Sequence, residues 1–166
     1  MTTLEVQKYE YFIGVDLSLT GSAAIIIDNQ ANIVKQELVS TKSDEQIENR
    51  FKIILDALDF CRKVVNLKMI YVEGLSYGSK GQAALELAGL HYLFRYSLYI
   101  SSTPYKIIPP TELKKFLTGK GNSKKELMLL HCYKKFGIEF DSNDLCDAYC
   151  LARYAFHNHM DDKDHD

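Results

Sequence analysis

The sequence predicts a mixed α/β fold, a five-stranded sheet with helices on both faces. Two apolar, β-branched runs, Tyr11 to Val15 and Ala23 to Ile27, flank a turn-rich segment, Ser18 to Ser22, as a β-hairpin does. A segment with helical apolar spacing then leads to a further apolar strand, Met69 to Glu73, which is the order of a crossover connection. The remaining chain alternates one short strand with helical segments, so both faces of the sheet have helices to cover them. With 166 residues and 46% hydrophobic content, the chain can bury one substantial core.

In chain order, the hairpin turns at Asp28-Asn29-Gln30 into a third strand through Ile33, Val34, Leu38 and Val39, completing an antiparallel meander. Ser43 with Gln46 reads as a capping box opening a helix, along which Ile47, Phe51, Ile54, Leu55, Leu58, Cys61 and Val65 follow at helical spacing. The right-handed crossover rule places the next strand, ending at Glu73, parallel to the first and beside it. A loop from Gly74 to Gly81 leads to a long helix, about 82–99, and Lys106 to Ile108 form a short strand stopped by Pro109-Pro110. Thr111 caps a helix ending at Gly119, and Ser123 with Glu126 reads as a second capping box opening a helix that ends at Gly137. Ser142 or Asn143 caps the last helix, whose Leu145, Ala148, Leu151, Ala152 and Ala155 suit packing on the sheet. One domain over residues 1–158 and a disordered acidic tail over 159–166 are expected.

Acids recur where apolar strands end. Asp16 closes the first strand and Glu73 the fourth, while Asp144 and Asp147, three apart, share a face of the last helix. A single such acid is ordinarily a turn cap, and acids are common in a helix's first turn. An ionised carboxylate beside an apolar run is nevertheless costly unless a cation compensates it, and this pattern repeats. Asp16, Glu73, Asp144 and Asp147 together offer oxygen ligands, which suit Mg²⁺ or Mn²⁺ rather than zinc.

The net charge of −2 argues against a nucleic-acid protein, but its distribution does not. Residues 74–135 carry ten basic residues against three acids, a local balance of +7 that leaves −9 elsewhere. Lys114, Lys115, Lys120, Lys124 and Lys125 cluster around the loop Gly119-Lys120-Gly121-Asn122, where backbone and ammonium groups can both reach phosphates; Lys80 adds to them. No apolar run approaches the roughly 20 residues of a membrane span, and no signal-peptide core is visible, so a soluble, cytoplasmic protein is expected. Cys61, Cys132, Cys146 and Cys150 form no Cys-x-x-Cys pair and read as reduced, buried thiols; a zinc site drawn from Cys146, Cys150, His157 and His159 matches no standard spacing.

These residues together resemble the RuvC-like Holliday junction resolvases of the RNase H fold. The resemblance runs from Phe12 to about Phe156 and rests on four pieces in family order. They are Gly14-Val15-Asp16 with Thr20-Gly21; Val72-Glu73 before an Ala- and Leu-rich helix; Pro110, Leu113-Lys114, Gly119, Gly121 and Lys125; and Asp144-Leu145-Cys146-Asp147-Ala148. The shortness of the chain and its acidic end look more like a phage-type member, for which the location would be the host cytoplasm.

The resemblance implies an RNase H-like fold and an enzyme that binds and symmetrically nicks four-way junctions and other branched DNA; the near two-fold symmetry of a junction favours a homodimer, with the helix Gln82 to Tyr99 as its expected interface because Ala84, Leu87, Ala88, Leu90, His91, Phe94 and Leu98 give it apolar residues on more than one side. The resemblance makes Asp16, Glu73, Asp144 and Asp147 the ligands of two metal ions, and Lys114 and Lys125 the basic residues near the scissile phosphate. Cellular members carry an aromatic three positions after the second acid that inserts at the crossover; here that position is Ser76, and the aromatic is Tyr77. The alternatives are a general flap or branched-substrate nuclease of the same fold and a non-catalytic DNA-binding protein that keeps only the fold. Sugar kinases and actin-like ATPases open with a similar hairpin but need two lobes, for which 166 residues leave no room.

Overall fold

The computed structural model describes residues 9–76, 78 and 80–163. Strands β1 (Tyr11–Asp16), β2 (Ser22–Asp28) and β3 (Ile33–Val39) form the meander, and β4 (Leu67–Glu73) and β5 (Tyr105–Ile108) complete a single sheet of order β3-β2-β1-β4-β5. β1 runs antiparallel to β2 and parallel to β4, as the crossover rule requires. β5 extends the parallel half, with Glu73 opposite Ile108.

Alternation along the central strands divides the core in two. Ile13, Val15, Ile70 and Val72 face one side, where they pack with Ile54 and Leu58 of α1 (Ile47–Leu58) and Leu90, Phe94 and Leu98 of α2 (Gln82–Ile100). Phe12 and Tyr71 face the other, against α3 (Pro110–Thr118), α4 (Met128–Phe136) and α5 (Asn143–Lys163). Asp16 and Glu73 share the parity of Phe12 and Tyr71, so both acids leave the sheet on the α5 side.

Gly14 brings α5 against β1. A Cβ there would lie 1.8 Å from the Ala148 carbonyl oxygen and 2.5 Å from the Ala152 nitrogen, so no other residue fits without moving the helix. Ala148, Leu151, Ala152 and Ala155 are all buried against the sheet, as their spacing predicts.

Several boundaries differ from expectation. α1 begins at Ile47 with no side-chain cap, and Asp59–Lys63 is a 3-10 turn, which leaves Val65 exposed. Ser123 does not cap a helix; its hydroxyl binds Thr118 Oγ1 and the Lys120 carbonyl, closing the basic loop, and a 3-10 turn over Lys125–Leu127 precedes α4. Pro110, at the first position of α3, starts that helix where Thr111 was expected to cap it. α5 continues through Lys163, so residues 159–163 of the expected tail are helical. Lys163 Nζ meets Glu10 Oε2 at 2.9 Å, and Glu10 also pairs with Lys68. Those two lysines hold the Glu10 carboxyl down at about 2. No helix among the described residues is long and apolar enough to cross a membrane.

Candidate metal centre

Asp16, Glu73 and Asp147 converge at the carboxyl ends of β1 and β4. Each offers one carboxylate oxygen, and these atoms all lie within 4.8 Å of one another. Burial pushes the Asp16 carboxyl well above its ordinary value, and the charge of Glu73 adds to it. Glu73 is raised by burial and then by Asp147; Asp147 is pushed up to about 7 by burial and then by Asp16, against the pull of Lys125. Three acids that oppose one another's ionisation in a shielded place cost the fold stability unless something cationic joins them.

The residues present fit a hard divalent cation. The donor set is oxygen alone, and Asp147 Oδ1 is buried with no hydrogen-bond partner. The nearest ammonium to Asp147, Lys125 Nζ, stands 3.9 Å from Oδ2 and is itself more than half exposed, too loose a pairing to neutralise the cluster.

Asp144 stands apart from the close trio. It lies one turn before Asp147 on α5, near enough to act electrostatically on Asp16 and Asp147, with Oδ2 2.7 Å from where a Cβ on Gly21 would stand. Gly21 is therefore the residue that admits Asp144 to the hairpin turn. That turn is itself tied: the Ser22 hydroxyl donates to the Ser18 carbonyl at 2.7 Å, and buried Arg50 donates to the Leu19 carbonyl at 2.6 Å and to Thr41 Oγ1 at 2.9 Å. Arg50 was not singled out in the sequence, although an arginine among the apolar positions of α1 is the signal that could have found it.

A depression of about 220 Å³ opens beside the acids, lined by Glu73, Ser76, Pro110, Lys114, Lys125 and Asp147. Of the lysines expected to meet DNA, the structure brings Lys114 and Lys125 into this depression. Lys80, Lys115, Lys120 and Lys124 are exposed and do not line it. Tyr77 lies outside the described residues.

The imagined zinc site is not formed. His157 pairs with Asp161, and His159 packs its ring against Phe12 with Nε2 3.6 Å from Glu10. Cys146 and Cys150 instead meet Cys132 of α4, a partner that sequence spacing could not supply because the two helices come together only in the fold.

No protein-family model matches the chain. It is 24% identical over 143 residues to the crossover junction endodeoxyribonuclease RuvC of Brachyspira hyodysenteriae, a match spanning 84% of this chain and 89% of that one. Among solved structures it is similar to Thermus thermophilus RuvC, with a TM-score of 0.72 at 18% identity over 92% of this chain and 97% of the other. Against T. thermophilus RuvC in complex with Holliday junction substrate the TM-score is 0.74 at 17% identity, covering 91% and 96%. The chain is thus similar to RuvC in sequence and in fold, and its five-stranded mixed sheet is the one that the resemblance implies.

Proposed function

We propose that the chain is a metal-dependent endodeoxyribonuclease that binds four-way DNA junctions and nicks them symmetrically. The observation that carries this reading is the convergence of three carboxylates, two buried and one half-buried, from β1, β4 and α5 beside a depression bearing two lysines. Homology to a crossover junction endodeoxyribonuclease, and the likeness to a RuvC solved with a Holliday junction, supply the substrate class.

Asp16, Glu73 and Asp147 would hold the metal, with Asp144 completing the set from the Gly21 side. Two divalent ions of the Mg²⁺ or Mn²⁺ class held there would lower the pKa of water and offset charge on the leaving oxygen. The chain's own part is positional and electrostatic. Lys125 and Lys114 neutralise the scissile phosphate in the depression, and Lys125 partly offsets the burial and neighbouring charge that raise the Asp147 carboxyl. Lys80, Lys115, Lys120 and Lys124 track the DNA backbone further out. Tyr77, four residues past Glu73, is the aromatic available to stack on bases unpaired at the crossover.

Paired nicks on a nearly two-fold substrate call for two sites related by a two-fold axis, hence a homodimer. The exposed side of α2 supports it: Leu85, Tyr92, Tyr96 and Tyr99 stand in solvent at 62% to 73% exposure, while Leu90, His91, Phe94 and Leu98 fill the core. Leu90, His91, Phe94 and Leu98 of the expected interface are core residues, so Leu85 and the tyrosines are what α2 would offer a partner.

The test is cleavage of labelled four-way, flap, linear duplex and RNA/DNA hybrid substrates with Mg²⁺ or with EDTA, alongside light scattering. Symmetric nicks in the four-way junction, dependent on Mg²⁺, and a dimeric mass are expected. Preferential flap cleavage would make it a general branched-substrate nuclease, and binding without cleavage a non-catalytic relative.

A further inference from the structure

Behind the carboxylates, α4 and α5 enclose a second cluster of quite different chemistry. Cys132 of α4 and Cys146 and Cys150 of α5 place one Sγ each within 4.8 Å of one another, and all three are fully buried. Cys146 and Cys150 are four apart on one helix, so they share its face, and Cys132 closes the triangle from the facing helix. Cys61 lies alone in the other half of the core and shows what an isolated buried cysteine does here, which is to fill space among apolar neighbours.

Two features separate the trio from simple packing. Sulfurs bound at about 2.3 Å around one ion stand about 4 Å apart, and the three Sγ atoms already lie within 4.8 Å of one another. Two cations also stand near enough to act on the thiols electrostatically, Arg153 on Cys132 and Lys135 with Cys150. Arg153 is fixed there, donating to the Tyr149 hydroxyl at 3.0 Å with its guanidinium 4.2 Å from the centre of the Phe136 ring. Both cations also line a pocket of about 230 Å³ together with Phe116, Phe136 and Met160.

We propose that Cys132, Cys146 and Cys150 form a closed three-sulfur site for one soft, thiophilic metal ion, which clamps α4 to α5. Thiolates select soft cations, whereas the carboxylate oxygens of Asp16, Glu73 and Asp147 select hard ones, so the two centres take different metals from the same solution. Binding forms three metal–sulfur bonds and releases the thiol protons to solvent. Arg153 and Lys135 offset the negative charge left when three thiolates surround a monovalent or divalent ion. Cys146 lies between Asp144 and Asp147, so an occupied clamp stiffens the turn of helix that presents both acids.

The test titrates the whole chain with Cd²⁺ in saturating Mg²⁺ and a phosphine reductant, following the ultraviolet sulfur-to-metal charge-transfer band. A band saturating at one ion per chain is expected, unchanged in Cys61→Ala. Cys132→Val and Cys150→Ala, apolar replacements chosen to keep the core folded, should weaken binding by about two orders of magnitude, the consequence of losing one ligand of three. Wild type should also unfold at a higher temperature with Cd²⁺ than without it, which tests the clamp even if a variant fails to fold. Monovalent copper delivered from a competing chelator is the second arm, and binding of either ion with this cysteine dependence supports the site. Absence of both ions from the wild type, or a band that survives the loss of Cys132, would overturn it.

Discussion

Asp147 reaches the strand ends with one carboxylate oxygen bonded to nothing and with its carboxyl pushed up to about 7 by burial and by Asp16. Its charge therefore works against the metal-free fold. Asp147→Asn should raise the stability of the metal-free protein near neutral pH by about 1 to 3 kcal/mol, a discounted share of the free energy that such a shift represents, while abolishing cleavage. Urea midpoints in EDTA and a junction-cleavage assay on the same preparation check it; a variant less stable than wild type would mean that the carboxylate supports the fold. Lys114→Ala and Lys125→Ala should weaken junction binding and each reduce the slope of log affinity against log salt by roughly 0.9. Unchanged slopes in both would make these lysines ordinary solvated surface. At this scale the sequence was legible wherever a residue contradicted its own strand, as Asp16 and Glu73 do. Arg50 was missed, and the partners of Gly14 and Cys132 with it, because what each one does depends on a group distant in the chain: the Leu19 carbonyl, the Ala148 carbonyl and the α5 thiols.

Elements were legible where apolar period and punctuation agreed. The meander, the crossover to β4 and the ends of α3 and α4 at Gly119 and Gly137, both left-handed, follow from the residues themselves. The expected capping boxes failed because Ser followed three residues later by Glu or Gln satisfies a pattern that other partners can outbid. Ser123 found Thr118 and the Lys120 carbonyl, and the cap expected of Ser43 is absent because α1 starts only at Ile47. The contact between β1 and α5 gives the sharpest prediction at this scale. Gly14→Ala sets a methyl 1.8 Å from a backbone oxygen that no rotamer change can move aside, so α5 must shift and carry Asp147 with it. The cost should be about 2 to 4 kcal/mol, toward the upper end for overpacking, with metal-dependent cleavage lost even below the unfolding temperature. A urea midpoint equal to wild type with full cleavage would show that β1 and α5 are less closely apposed than the structure has them.

Across the whole molecule, ionisable groups on the two sides of the sheet set opposite limits on stability. His91, buried on the α2 side, is held down at about 4 by burial and by Arg95. A depressed histidine contributes stability that is present above its unfolded value of about 6.5 and is lost as pH falls toward its folded value. On the α5 side, Asp16, Glu73 and Asp147 are all raised. A raised carboxyl contributes stability that is present below its unfolded value of about 4 and is lost as pH rises through its folded value, which for Asp147 is about 7. The metal-free protein should therefore weaken on both sides of a mildly acidic optimum. Mg²⁺ binds the ionised carboxylates of the folded state, so it should remove the alkaline loss and leave the acidic one. Thermal midpoints with Mg²⁺ and with EDTA, taken at several values from about pH 5 to about pH 8.5, would show the gain from Mg²⁺ growing with pH. Asp147→Asn should shrink that gain, whereas His91→Gln should flatten the acidic limb and leave the gain from Mg²⁺ as it is. If the gain from Mg²⁺ were the same at every pH, its binding would not be coupled to ionisation of the buried acids, and the candidate metal centre would have to be sought elsewhere on the sheet.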